Sequence, residues 1–145
     1  MMEIKETTDI TSPIFDDAFR IRMAVFVQEQ HVPEKLERDH HERGAHHFVG
    51  YVDNKPVATV RVREHLQEWK LQRVATSKNA RNHGYAGQLI KAIVTQARQI
   101  DSIKKIVLDG QITAIEFYEH LGFQAVGTVF TEAGILHRHM ELVIR

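Results

Sequence analysis

Apolar residues recur every three or four positions in two stretches of the chain, and each stretch predicts an amphipathic helix. The first runs from about residue 13 to residue 27, with Ser12 as its N-cap and Pro13 at its first helical position. The second follows Gly84 and is the clearest helix of the chain. Its apolar face is formed by Ala86, Leu89, Ile90, Ile93, Val94 and Ala97. A shorter helix is predicted from about 114 to 121, where Gly122 ends it.

Short apolar runs and alternating apolar and polar positions predict strands between and beyond these helices. The predicted strands lie at 3–8, 47–53, 56–63, 69–75, 104–108, 123–130 and 135–144. On the last strand, His137 and His139 fall on the face that is expected to meet solvent. Strands mixed with strand–helix–strand units predict an α/β protein with a mixed sheet and helices on its faces. The 145 residues are expected to form one domain, 1–145.

Composition excludes several kinds of chemistry. The chain has no cysteine, so disulfides, thiolate zinc sites and cysteine nucleophiles are excluded. Nineteen basic and nineteen acidic residues give a formal net charge of zero, which argues against nucleic-acid binding driven by bulk charge. No apolar run approaches the roughly 20 residues of a membrane span, and the first residues lack the apolar segment of a signal peptide. We therefore expect a cytoplasmic protein without a nucleic-acid or membrane partner.

Histidine is frequent, and four of the ten histidines lie in one polar stretch. This stretch, residues 33–47 (PEKLERDHHERGAHH), is predicted to be a surface loop, and loops of this length are often functional. The histidines raise the question of a metal site. However, no HExxH spacing is present, and adjacent histidines in a strand or loop point in different directions. We therefore predict no metal.

The segment from Leu71 to Ile90, LQRVATSKNARNHGYAGQLI, carries the most specific chemistry. A predicted strand leads into a polar turn, and the turn opens the clearest helix. The first N–H groups of a helix have no partner within it, and a diphosphate fits such an end. Small residues at 84, 86 and 87 leave room for phosphate oxygens at the main chain, and Arg81 adds a cation. Neither a Walker loop nor a GxGxxG fingerprint is present.

Two motifs of the chain resemble one known family. Arg81-x-x-Gly84-x-Ala86 resembles the (Gln/Arg)-x-x-Gly-x-(Gly/Ala) signature of the GCN5-related N-acetyltransferases, the GNAT family. About thirty residues further on, residues 114–123 (AIEFYEHLGF) are similar to the family's A-x-x-F-Y-x-x-x-G-F segment. The resemblance extends from about Phe19 to Phe130. Residues 22–33 look like one subgroup of small bacterial single-domain acetyltransferases.

The resemblance implies a mixed, mostly antiparallel sheet of six to seven strands flanked by about four helices. It implies acetyl-coenzyme A as co-substrate, with the main chain at residues 73–75 pairing with the pantetheine arm. The Val74 N–H would meet the thioester oxygen, and Tyr118 would protonate the departing thiolate. The implied cofactor contacts are Arg73, Val74, Ala75, Arg81, Asn82, His83, Gly84, Tyr85, Ala86, Gly87, Gln111, Ala114 and Phe117. Phe117 is also expected to be mainly core.

The function predicted on this basis is transfer of an acetyl group from acetyl-coenzyme A to a primary amine of a small molecule or peptide. Because no cysteine is available for an acyl-enzyme, direct attack in a ternary complex is expected. The alternative is a non-catalytic acyl-coenzyme A sensor of the same fold. Glu29 is selected as the base, since the preceding helix and the polar loop lie on the family's acceptor side. The other candidates by residue type are Asp39, His40, His41, Glu64 and His65. The resemblance is also compatible with a homodimer.

Overall fold

One sheet of seven strands runs through the protein, whose computed structural model describes all residues from 1 to 145. The strands are β1 (Glu3–Thr7), β2 (His46–Val52), β3 (Lys55–His65), β4 (Glu68–Thr76), β5 (Lys105–Gln111), β6 (Gln124–Glu132) and β7 (Ile135–Val143). Their order in the sheet is β1-β2-β3-β4-β5-β7-β6, and only the β4–β5 pair is parallel. The prediction of a mixed, mostly antiparallel sheet of six to seven strands is confirmed.

Four α-helices flank the sheet, as predicted. They are α1 (Pro13–Arg22), the single turn α2 (Glu34–Glu37), α3 (Tyr85–Arg98) and α4 (Ile115–His120). The Ser12 hydroxyl accepts a hydrogen bond from the Ile14 N–H at 3.1 Å and so caps α1, which begins with proline. After α1 the chain continues as a π-helical segment, Met23–Glu29, a conformation found frequently at functional sites. No helix combines the length and the apolar character needed to cross a lipid bilayer.

The two faces of the sheet are covered in different ways. On one face, α3 and α4 close over an apolar cluster of 19 buried residues that includes Trp69, Leu89 and Ile93. On the other face, α1 covers a cluster of only six, among them Ile21 and Val49. Burial of apolar side chains is therefore concentrated on the α3 face, where it provides most of the hydrophobic stabilisation.

The polar stretch at residues 33–47 lies at the surface, as predicted, but it is not solvated throughout. It contains α2 and returns to the sheet, and Glu37 is almost completely buried. Its carboxylates form ion pairs with arginines of α1 and of the central strands. The pattern of apolar positions could not predict these pairs. The loop therefore fills the part of the α1 face that the small apolar cluster leaves open.

Two irregularities in β4 open the sheet near its centre. The strand pairs with β5 only from Glu68 to Leu71, and beyond Leu71 and Leu108 the two strands diverge. On its other side, the three steps from Gln72 to Ala75 lie opposite only two steps of β3, which is the register of a β-bulge. Main-chain groups of β4 that face β5 past Leu71 consequently have no strand partner.

Candidate active site

The divergence of β4 and β5 creates a cavity of about 360 Å³. The two strands form its sides, the π-helical segment and α2 form one wall, and the β6–β7 hairpin forms another. The polar residues that line it are Gln30, Glu37, Lys70, Gln72, Arg73, Asp109, Gln111, Glu132 and His137. Phe26, Val32 and Leu36 add apolar surface on the side of α2. The mixture of apolar walls and convergent polar groups is typical of a small-molecule site.

The turn from Arg81 to Gly87 has the geometry of an anion-binding site. Gly84 is the N-cap of α3 with φ of +76°, a left-handed conformation that glycine adopts without strain. The first main-chain bond of the helix joins the Gln88 N–H to the Gly84 carbonyl at 3.0 Å. The N–H groups of residues 85–87 thus have no partner within the helix, and no side chain caps them. The space in front of Gly84 is open, since a Cβ built there would meet no atom within 4 Å.

Arg81 lies at this turn and forms an ion pair with Glu29. Its Nη1 and Nη2 donate to the two Glu29 carboxylate oxygens at 2.9 and 2.7 Å, and the guanidinium also bonds the Thr76 carbonyl. The hydrogen bond from Arg81 lowers the pKa of Glu29. Glu29 does not line the cavity, and a carboxylate with a lowered pKa is a weaker base. This geometry counts against Glu29 as the catalytic base.

Tyr118 lies at the cavity with its ring packed against β5. A Cβ built on Gly110 would come within 3.1 Å of the Tyr118 ring, so only glycine permits this approach without a shift. Tyr118 is 6% exposed, and burial raises the pKa of its hydroxyl above the ordinary range. Phe117, by contrast, is 37% exposed, so the prediction that Phe117 is mainly core is wrong. On the short α4, the tyrosine occupies the inward position and the phenylalanine contacts it edge-on.

Other predicted cofactor residues lie in three places. Arg73, Val74, Gln111 and Ala114 line the cavity together with Tyr118. Ala75, one step further along β4, is buried in the apolar cluster under α1. At the turn, His83 stacks on Tyr85 with ring centroids 5.4 Å apart, beside the open N–H groups.

None of the six candidate bases lines the cavity. Asp39 is paired with Arg61 and Arg73, while His40 and His41 contact each other with ring centroids 4.2 Å apart. Glu64 and His65 are exposed at the tip of the β3–β4 hairpin, at the opposite end of β4 from the Arg81 turn. The titratable side chains at the cavity are instead supplied by α2, β4, β5 and the β6–β7 hairpin.

His137 is a cavity residue that sequence reasoning missed. It is buried rather than solvated, with its ring stacked on Phe130 at 5.8 Å. Its Nδ1 lies 2.7 Å from the Ile135 carbonyl, and because a carbonyl only accepts, the neutral form of the ring has its proton on Nδ1 and its lone pair on Nε2. The strand alternation predicted that His137 meets solvent and that Leu136 faces the core, and both predictions are wrong: His137 is buried at the cavity, and Leu136 is 54% exposed.

Asp109 is a second cavity residue without a prior prediction. Its carboxylate lies 3.1 Å from Lys70 Nζ and 2.9 Å from His139 Nδ1. Burial works to raise the pKa of Asp109, but the hydrogen bonds from His139 and Lys70 outweigh it and the pKa is lowered. No three histidine, aspartate or glutamate side chains converge as a metal site.

Comparison with known proteins identifies the class of protein that this fold and site define. The family model described as "Acetyltransferase (GNAT) domain" matches residues 10–144. The chain belongs to this family of acetyltransferases, as its two motifs predicted.

Individual relatives agree with the family assignment. YjcF of Bacillus subtilis (strain 168), an uncharacterized N-acetyltransferase, is 35% identical over 125 residues, which is 86% of this chain and 89% of YjcF. A Lactobacillus plantarum protein, provisionally named as an N-acetyltransferase, has a crystal structure with a TM-score of 0.88 at 27% identity, covering 99% of both chains. An acyl-CoA N-acyltransferase from Pseudomonas aeruginosa shares the fold, with a TM-score of 0.85 at 24% identity over 97% of this chain and 99% of that one.

Proposed function

We propose that the protein transfers the acetyl group of acetyl-coenzyme A to a primary amine by direct attack within a ternary complex. The observation that carries the proposal is an uncapped helix start next to the helix that presents Tyr118: a Cβ built on Gly87 would lie 3.8 Å from Phe117, the neighbour of Tyr118. The uncapped helix start at Gly84 faces open space, and Tyr118 lines the cavity between the diverging strands. Membership of the GNAT family supports acyl-coenzyme A as the donor.

The phosphate and thioester ends of the donor have separate binding elements. The N–H groups of residues 85–87 and the α3 dipole attract the diphosphate. The unpaired edge of β4 offers main-chain partners to the pantetheine arm. The Val74 N–H then donates to the thioester oxygen, which gains negative charge as the amine nitrogen attacks the carbonyl carbon.

Tyr118 supplies the proton that the leaving thiolate needs. The phenol is protonated at neutral pH, because even the ordinary tyrosine pKa of about 10 lies above it. Burial raises the pKa of Tyr118 further, so the proton is expected to leave only when a strong base, the departing thiolate, forms beside it. As the carbon–sulfur bond breaks, the phenolic proton passes to sulfur. The attacking nitrogen, which becomes the amide nitrogen, releases its second proton to solvent, and the phenolate takes up a proton from solvent in its place.

His137 is the cavity residue best prepared to take the proton of the amine. Its Nδ1 proton is committed to the Ile135 carbonyl, so Nε2 is free to accept. The carboxylates of Glu37 and Asp109 are already paired with basic side chains, which makes them poorer acceptors of a proton. The nitrogen lone pair becomes available for attack once Nε2 has taken the proton.

Release of free thiol from acetyl-coenzyme A in the presence of a panel of primary amines tests the proposal. At least one amine is expected to raise thiol release above the rate without acceptor. Tyr118→Phe is expected to lower kcat by about 100-fold or more while the dissociation constant for coenzyme A is kept. Tyr51→Phe is the matched control, because Tyr51 is also a buried tyrosine but bonds Asp17 under α1. Cofactor binding without turnover for any amine would favour a sensor, and full activity of Tyr118→Phe would remove Tyr118 from this role.

A further inference from the structure

The bulge in β4 contains a residue in an unfavourable conformation. Arg73 has φ of +55°, in the left-handed region that residues with a Cβ seldom adopt. It directly precedes Val74, whose N–H faces the thioester in the function proposed above. A strained conformation persists at such a place only when its surroundings hold it.

The side chain of Arg73 is held by one short segment of the polar loop. Its Nη2 donates to Asp39 Oδ2 at 3.1 Å and to the carbonyls of Leu36 and Glu37 at 3.3 and 3.4 Å. Its Nε lies 3.0 Å from Glu37 Oε1, a charge contact without hydrogen-bond alignment. All the partners of this guanidinium thus lie between residues 36 and 39.

That segment is in turn fixed by two buried arginines. Arg22 Nε donates to Glu37 Oε2 at 2.6 Å, and Arg61 forms a two-pronged bond with Asp39 at 2.8 and 3.0 Å. Glu42 bridges both arginines, each of which is only 1% exposed. Three arginines and three carboxylates therefore form one neutral cluster, and we call it the arginine–carboxylate cluster.

The cluster holds two consecutive residues at the start of the bulge, Gln72 and Arg73. Arg61 donates from Nε and Nη2 to the Gln72 amide oxygen at 3.1 and 2.7 Å. Arg73, the next residue, is held by Glu37 and Asp39 as described. Planar guanidinium groups with paired bonds fix orientation as well as position, so the main-chain direction that leads into Val74 is set by side chains of the loop.

We propose that Asp39 and Glu37 are positioning residues, which hold Arg73 in its left-handed conformation and thereby aim the Val74 N–H at the thioester oxygen. The inference rests on the proposed function for its chemical meaning. It assigns a role in the reaction to residues 36–39 that requires no contact between their carboxylates and the substrate.

A pair of variants at Arg73 separates positioning from any direct role of the side chain. Glycine adopts the left-handed conformation without strain, whereas alanine keeps the Cβ and loses every restraint. Arg73→Ala is expected to lower kcat by about 10-fold to 100-fold, with KM for acetyl-coenzyme A changed by less than about 2-fold. Arg73→Gly is expected to retain much more of the wild-type kcat. Equal values for the two variants would overturn the proposal.

Asp39→Asn extends the test to the loop. It is expected to lower kcat when Arg73 is present and to have a much smaller effect in the Arg73→Gly background. An equal loss in both backgrounds would show that Asp39 acts in some other way and would overturn the proposal. Thermal unfolding establishes that each variant is folded. If Asp39→Asn does not fold, the comparison of Arg73→Ala with Arg73→Gly still tests the positioning role.

A readout without turnover separates this proposal from the function on which it rests. After correction for the shift that a change of the preceding residue causes by itself, the Val74 amide signal in ¹⁵N–¹H spectra is expected at the same position in the wild type and Arg73→Gly, and displaced in Arg73→Ala. If the wild type transfers acetyl to no amine, the proposed function fails while the spectra still report on the restraint. If the wild type is active and the Val74 signal is the same in all three proteins, the positioning role fails alone.

Discussion

The two faces of the sheet are stabilised by different physical means. The α3 face is a continuous apolar cluster, while the α1 face combines a small apolar cluster with the arginine–carboxylate cluster. Apolar packing is non-directional and tolerates exchange of side chains of similar volume. Buried ion pairs depend on each partner, and removal of one leaves an uncompensated charge.

The difference corresponds to the two ends of the candidate site. The helix that presents the anion-binding turn lies on the α3 face, so its position depends on apolar packing. The bulge at Arg73 is held from the α1 face, so its conformation depends on charge. The helix start proposed to bind the donor and the cavity proposed to hold the reacting groups are therefore expected to respond differently to mutation and to pH.

Arg61→Met is expected to have the largest effect on stability, a loss of about 3–5 kcal/mol at pH 7. The substitution leaves the half-buried Asp39 and Glu42 with fewer cationic partners, and Gln72 loses both donors. The loss should shrink as the pH falls toward 4, because the freed carboxylates can then take up protons. Urea unfolding at several pH values measures this.

Arg20→Met is the control for Arg61→Met. Arg20 also pairs with an aspartate, Asp17 at 3.5 Å, but its side chain is 74% exposed. A change of less than about 0.5 kcal/mol is expected for such a surface pair. Equal losses for the two variants would show that burial of the cluster does not determine its contribution.

Ile93→Ala tests the apolar face and is expected to cost about 2–5 kcal/mol. Ile93 is fully buried in the α3 face, and its removal leaves a cavity but no unpaired charge. The difference from the wild type should therefore stay constant between pH 7 and pH 4 in the same urea experiment. A difference that shrinks on acidification, as expected for Arg61→Met, would contradict the contrast between the faces.

Acidification of the wild type is expected to weaken the α1 face first. Burial works to raise the pKa of Asp39, but hydrogen bonds and charge from Arg61 with charge from Arg73 outweigh it, and the pKa lies well below its ordinary range. The pKa of Glu42 is also lowered, by Arg22 and Arg61 against the effect of burial. Groups with a lower pKa in the folded state bind fewer protons there than in the unfolded chain. The free energy of unfolding therefore decreases as the pH is lowered.

The fall should begin near the ordinary carboxyl pKa of about 4 and continue below it. Urea midpoints between pH 6 and pH 3 measure the wild-type decline. Hydrogen exchange at pH 4 should show main-chain amides of residues 36–42 losing protection before those of α3 do. Stability that stays level down to pH 3 would contradict the assigned ion pairs.

Local patterns in the sequence predicted most of the fold and the uncapped helix start at Gly84. Strand alternation and helical spacing identified all seven strands and the three longer helices. The anion-binding turn was also predictable, because Gly84 and its neighbours lie within one short segment. In each case the signal comes from residues only a few positions apart.

The reacting end of the site was not predictable in the same way. Arg22 and Glu37, or Arg61 and Asp39, meet only after the loop folds back on the sheet, and each looks like a solvated charge in isolation. On the short α4, spacing could not decide whether Phe117 or Tyr118 points inward. His137 is buried against Phe130 and among the cavity residues, and these neighbours come together only in the folded structure.

The smallest expected effect concerns the ion pair at the turn. Because Glu29 occupies Arg81 through two hydrogen bonds, a diphosphate must compete with this carboxylate for the guanidinium. Glu29→Gln is therefore expected to tighten coenzyme A binding by about 2-fold to 5-fold in titration calorimetry at low salt. Glu64→Gln removes the same charge at the opposite end of β4 and should leave the dissociation constant unchanged. Unchanged or weaker binding by Glu29→Gln would show that the carboxylate does not compete, and a collapse of kcat with tight binding would restore Glu29 as the base.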